Sequence, residues 1–131
     1  MPDQPKILHV EDDPEIREIA LVALEIIAGL PVVQCASGFE AIEVAPAVMP
    51  DIFLLDVMMP GMNGVETYQA LRANPLFAAT SVMFMTARAQ PKEVTKLLDM
   101  GALDVVTKPF DPMTLGQHII DVWTRKLSVT P

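Results

Sequence analysis

Asp51-Ile52-Phe53-Leu54-Leu55-Asp56-Val57-Met58-Met59-Pro60-Gly61 is the stretch that decides the fold. Its short, unbroken apolar run is the pattern of a strand buried on both faces, and the Met-Pro-Gly turn ends it. The last carboxylate, Asp56, is thereby delivered to the carboxyl end of that strand. In open α/β sheets this edge is where ligands bind, so the neighbouring segments determine what Asp56 can do there.

Working outward toward the N-terminus, Lys6-Ile7-Leu8-His9-Val10 reads as a first strand that runs directly into Glu11-Asp12-Asp13-Pro14. Asp13 followed by Pro14 is a helix start, with Asp as N-cap and Pro at the first helical position. Ile16, Ile19, Ala20, Ala23, Leu24 and Ile27 then recur at helical spacing up to Gly29. Pro31-Val32-Val33-Gln34-Cys35 reads as a second strand. Ser37-x-x-Glu40 is a capping box opening a helix that carries Phe39, Ile42 and Ala45, and that Pro46 is expected to truncate or distort.

Toward the C-terminus, Asn63-Gly64-Val65-Glu66 repeats the capping logic and starts a helix reaching about Arg72, ended by Asn74-Pro75. Ser81-Val82-Met83-Phe84-Met85 is a fourth strand delivering Thr86, then Ala87 and Arg88, and Pro91 opens a helix that closes at Gly101. Val105-Val106-Thr107 is a fifth strand ending in Lys108-Pro109-Phe110. Asp111-Pro112 starts a last helix with Leu115, Ile119, Trp123 and Leu127 on one stripe.

Five strands alternating with five helices through short loops imply an α/β fold, a doubly wound five-stranded parallel sheet with helices on both faces. At 131 residues and 51% hydrophobic, the chain is expected to be one domain spanning 1–131, with a core over about residues 5–127. Its net charge of −8 argues against a nucleic-acid or anionic-membrane surface on this domain. The lone Cys35 excludes an internal disulfide and reads as a small buried hydrophobe. With no signal-peptide pattern and no apolar run long enough to span a bilayer, a cytoplasmic location is expected.

Glu11, Asp12, Asp56, Thr86 and Lys108 all fall at strand ends on one edge of this sheet. Clustered carboxylates repel one another and raise each other's pKa unless a cation is present. Mg²⁺ suits such a set: Asp12, Asp56 and the backbone carbonyl of Met58 are candidate ligands, with Glu11 bonding through water and room left for a phosphoryl group. Asp56 is then suited to attack phosphorus and form an aspartyl phosphate, with Lys108 and Thr86 neutralising and hydrogen-bonding the phosphoryl oxygens. Asp13 is left off the metal set as an N-cap.

Four segments, Val10-Glu11-Asp12-Asp13, Leu54 to Gly61 around Asp56, Met85-Thr86-Ala87 and Lys108-Pro109-Phe110, make the chain resemble a response-regulator receiver domain of two-component signalling over nearly its whole length. The resemblance implies a flavodoxin-like receiver fold with strand order 2-1-3-4-5 and a cis peptide before Pro109. It also implies Mg²⁺-dependent transfer of phosphate to Asp56 from a histidine kinase or histidine phosphotransfer protein, within a phosphorelay. The expected activity is self-phosphorylation and dephosphorylation rather than turnover of an external substrate. The expected partner beyond the kinase is a downstream protein target, without direct nucleic-acid or membrane binding. Two alternatives stand beside this reading: the receiver half of a longer regulator with its output domain missing, and a Mg²⁺-dependent aspartyl-phosphate phosphatase. The second is weakened because Met58, not a carboxylate, lies two residues after Asp56.

The chain departs from the family pattern at Val105, where an aromatic residue usually stands three positions before the lysine. The usual coupled motion of threonine and aromatic therefore cannot occur in full form. Met58 cannot orient an attacking water, so a long-lived phosphate is expected; hydrolysis within seconds would count against it. Of the residues outside the site, His9 reads as structural, His118 as solvent-facing and Trp123 as helix packing. Met58, Met59 and Met62 lie in one loop as an adaptable contact surface.

Overall fold

The computed structural model describes residues 4–129. Residues 1–3, on which the signal-peptide reading partly rests, and residues 130–131 of the tail lie outside the described residues. Strands β1 (Ile7–Val10), β2 (Val32–Cys35), β3 (Ile52–Asp56), β4 (Ser81–Thr86) and β5 (Asp104–Thr107) alternate with helices α1 (Pro14–Leu21), α2 (Gly38–Val48), α3 (Gly64–Arg72), α4 (Pro91–Asp99) and α5 (Leu115–Val129). All four strand pairings are parallel, in the order β2-β1-β3-β4-β5. This is the doubly wound, flavodoxin-like arrangement. The order reverses between β1 and β3, so a crevice opens there at the carboxyl edge, because the helices following these strands lie on opposite faces.

The strands are apolar on both faces because both faces are covered. Leu8, Val10, Phe53, Leu55, Val82 and Phe84 point toward α2, α3 and α4, where Ala41, Ala45, Tyr68, Leu71 and Leu97 meet them. Ile7, Ile52, Leu54, Met83 and Met85 point the other way, against Ala23, Leu24, Leu115, Ile119 and Trp123. Each such fully buried side chain contributes about 1.5–3 kcal/mol, which is why an unbroken run like Ile52 to Leu55 is stable only in the middle of the sheet. Cys35 is buried on β2, and burial pushes its thiol up to about 11. Trp123 is buried as helix packing.

The capping signals hold at Asp13 and Asn63 and only in part at Ser37. Asp13 Oδ1 accepts from Glu15 N at 2.9 Å, and Asn63 with Glu66 forms a reciprocal capping box. Ser37 Oγ accepts from Glu40 N at 3.1 Å, but Glu40 answers one residue earlier than a capping box would, at Ala36 N. Lys108–Pro109 is cis, as the resemblance implies.

Several expectations are corrected. Pro46 does not truncate α2, which runs on to Val48 and ends at Met49 in the left-handed region, φ 49°. Of the apolar residues that α2 carries, Phe39 is 62% exposed, and the buried face of the helix is formed by Ala41 and Ala45. Residues 111–114 form a turn, and α5 begins at Leu115. Helix α1 continues as a π-helical segment, Val22–Ile27, in which Ala28 N donates to Ala23 O, five residues back, at 3.2 Å. A π turn accommodates one residue more than an α turn, so the buried phase set by Ala20, Ala23 and Leu24 passes to Ala28 and leaves Ile27 exposed. Ile19 is exposed as well.

Candidate functional site

Four strand ends, those of β1, β3, β4 and β5, build the site. Val57 N donates to Met85 O at 3.0 Å and Lys108 N to Thr86 O at 2.8 Å, so the sheet hydrogen bonding continues into both loops and fixes where Asp56 and Lys108 emerge. Helix α3 presses on the same point. Gly64 N donates to Val57 O at 2.9 Å, and a Cβ at Gly64 would run into the carbonyl group of Asp56. Only glycine permits this approach, and the sequence reading took Gly64 merely as part of a cap.

Glu11, Asp12 and Asp56 each bring a carboxylate oxygen to within 4.8 Å of the others. Glu11 and Asp56 are each only 1% exposed. The Lys108 ammonium lies between them, 3.0 Å from Glu11 Oε1 and 3.0 Å from Asp56 Oδ1. Both contacts hold the ammonium, and apart from Lys108 the buried Asp56 Oδ1 has no partner among the described residues. Burial pushes the Glu11 carboxyl up to about 7, and the Asp56 charge adds to this against the opposing pull of Lys108 and the Asp13 N–H. Burial draws the Lys108 pKa down, but its bonds to Asp56 and Glu11 outweigh this and hold it above its ordinary value.

Three carboxylates against one ammonium leave an excess of negative charge in a pocket largely closed to water. This set of oxygen donors fits a hard divalent cation such as Mg²⁺.

Thr86 lies at the same edge and is buried, but its hydroxyl is engaged locally, accepting from Arg88 N at 3.0 Å. Met58 points outward, 62% exposed, while Met59 is buried, so the three loop methionines do not form one exposed surface. His118 is half exposed, as expected, and pairs with Asp104 at 2.7 Å, which the sequence reading did not anticipate. Val105 stands opposite Phe84 and packs partly buried against the α2/α3/α4 core. Arg17 was also missed. Its Nη1 donates to the Glu11 carbonyl at 2.8 Å and the Asp12 carbonyl at 3.1 Å, bracing the acid loop from α1.

A doubly wound sheet of this order, with an acid pocket and an invading lysine at its switch point, defines the class of flavodoxin-like receiver proteins. The sequence model of the response regulator receiver domain matches residues 7–120, and the chain belongs to that family. It is 41% identical over 125 residues to the transcriptional regulatory protein CseB of Streptomyces coelicolor, covering 95% of this chain and 52% of that protein. It is 36% identical over 107 residues to the DNA-binding dual master transcriptional regulator RpaA of Synechocystis, covering 82% of this chain and 44% of that one. Among solved structures it is similar to the chemotaxis protein CheY4 of Vibrio cholerae, at TM-score 0.83 and 31% identity, covering 91% of this chain and 98% of that one.

The chain thus spans about half the length of the curated relatives it matches. These relatives lend no support to the exclusion of nucleic acid drawn from net charge, since RpaA is itself named as DNA-binding. No helix among the described residues is long and apolar enough to cross a membrane.

Proposed function

We propose that this receiver is a phosphoacceptor whose Asp56 takes the phosphoryl group from a phosphohistidine of a histidine kinase or histidine phosphotransfer protein. The observation that carries this reading is the burial of Asp56 beside Lys108, with Glu11 and Asp12 completing an over-acidic pocket. Asp12, Asp56 and the Met58 carbonyl would hold Mg²⁺, with Glu11 acting through water; the bound ion supplies charge neutralisation for the incoming phosphoryl oxygens. An Asp56 carboxylate oxygen attacks phosphorus, the phosphorus–nitrogen bond of the donor breaks, and its electron pair returns to the donor imidazole. Lys108 then transfers its attention from the carboxylates to a phosphoryl oxygen, keeping an ion pair throughout. The Thr86 hydroxyl can keep accepting from Arg88 N while its O–H turns from the Arg88 carbonyl, a long contact of 3.5 Å, to donate to the phosphoryl group. The output is a changed protein-interaction surface.

The test is treatment of the purified chain with a small phosphodonor, with and without Mg²⁺, read by intact mass for wild type and Asp56→Asn. A Mg²⁺-dependent phosphate adduct that vanishes in Asp56→Asn is expected; no adduct in wild type under either condition overturns the reading.

A second reading keeps the same site and couples it to an output domain on the same polypeptide. It is favoured by relatives of which this chain spans about half. The size of the protein detected by immunoblot in its source cells separates the two.

A further inference from the structure

Arg17, Gln34 and His9 form one hydrogen-bonded bridge behind the acid loop. Gln34 reaches from β2, donating Nε2–H to the Arg17 carbonyl at 2.8 Å and lying 3.1 Å from His9 Nδ1. A carbonyl can only accept, so the nitrogen of the Gln34 amide, not its oxygen, faces Arg17. The second amide hydrogen then meets His9 Nδ1 as a lone pair, which fixes His9 as the neutral Nε2–H tautomer. His9 is fully buried on β1, and its Nε2 finds no partner of its own. At the other end of the bridge, Arg17 Nη1 holds the carbonyls of Glu11 and Asp12. One contiguous chain of bonds therefore ties β1, β2 and α1 to the backbone of the two acids.

We propose that the His9–Gln34–Arg17 bridge sets the affinity of the acid pocket for a divalent cation, with Gln34 and Arg17 acting as positioning residues for Glu11 and Asp12. The inference rests on the reading of that pocket as a Mg²⁺ site. Its physical basis is preorganisation. A loop whose carbonyls are already held has its two carboxylates directed before the cation arrives, and less conformational freedom is lost on binding.

The guanidinium has a second, opposite effect, since a positive charge beside the pocket disfavours another cation. The two effects differ in sign and can be separated by substitution. Gln34→Met removes the amide donors without changing any charge, so it reports positioning alone. Arg17→Met removes the carbonyl bonds and the charge together, and it weakens binding only if positioning outweighs repulsion, as the inference requires.

The experiment is calorimetric titration of Mg²⁺ into the full chain and its variants at a temperature where circular dichroism shows each to be folded. Gln34→Met is expected to weaken Mg²⁺ binding by about fivefold and Arg17→Met by about tenfold, with Asp12→Asn removing it. A structural role alone would lower melting temperature and leave the dissociation constant of the folded protein unmoved. A Gln34→Met constant within twofold of wild type, or tighter binding by Arg17→Met, overturns the inference while leaving the Mg²⁺ reading intact. Absence of Mg²⁺ binding by wild type, or its persistence in Asp12→Asn, overturns the Mg²⁺ reading and the inference with it.

Discussion

Around the crevice between β1 and β3, the acid loop is tied from several directions: Arg17 holds two of its carbonyls, and Lys108 reaches Glu11 from β5. Beyond β4 the construction is looser. A cleft of about 230 Å³ lies between Met58, Val65, Thr86, Arg88 and Leu97, and Val105 offers no polar group that could link Thr86 to α4. On the proposed function, the difference separates two tasks on one sheet edge. Phosphoryl capture needs charges placed in advance, because reorganising them during transfer would raise the barrier. Passing on the signal needs an element with two comparable arrangements, which a fully bonded loop cannot provide.

Removing the cation that braces the tight side should have the largest effect. Lys108→Met leaves the buried Glu11 and Asp56 carboxylates facing each other without a counter-charge, and a loss of about 3 kcal/mol is expected near pH 8 without Mg²⁺. Millimolar Mg²⁺ should recover most of it. Urea denaturation with and without the ion measures both, and a loss under about 1 kcal/mol would mean the pocket is not braced by Lys108.

A smaller effect concerns the two ends of the tight side, which titrate in opposite directions. Burial, reinforced by the Lys108 and Arg17 charges, holds His9 at about 4 instead of 6.5. Its contribution is therefore fully present above pH 6.5 and is lost as pH falls to 4. Glu11, raised from 4.5 to about 7, contributes stability that is present below pH 4.5 and is lost as pH rises through 7. The two offset each other across most of this window. His9→Leu leaves Glu11 unopposed, so the stability of the variant at pH 5 relative to pH 7.5 should exceed the corresponding wild-type difference by about 2 kcal/mol. Parallel pH profiles for the two proteins would break the comparison.

The smallest effect belongs to the loose side. Val105→Phe, at a half-buried position, should change stability by less than about 1 kcal/mol. It should nevertheless enlarge the amide chemical-shift changes that phosphorylation produces in α4 and α5. Unchanged shifts would show that the missing aromatic is not what limits propagation.

What could be read from the sequence follows this division in part. Asp56 was legible because one contiguous run both builds β3 and places the acid at its end. The caps at Asp13 and Asn63 were legible because each bond spans three residues or fewer. Gln34 and Arg17 were not, since their bonds join residues from separate elements that share no period or motif. The π segment escaped for a different reason: the helical spacing of Ile16 through Leu24 predicts Ile27 inside, and only the packing of Ala28 against Gly116 shows the phase to have shifted. Pro46 misled because its lost N–H falls in the last turn of α2, where the lost hydrogen bond does not end the helix.

That π segment has a consequence for how the chain can vary. The near end of the helix is registered on the acid loop through Arg17, and the far end on α5 through Ala28 and Gly116. A helix pinned at both ends has no freedom to rotate, so a gained or lost residue must be absorbed between the pins. Val22–Ile27 already holds one such surplus residue in its widened turn. Insertions and deletions among relatives should therefore collect in residues 22–27 and avoid residues 13–20, where a single step would swing Arg17 about 100° away from the carbonyls it holds.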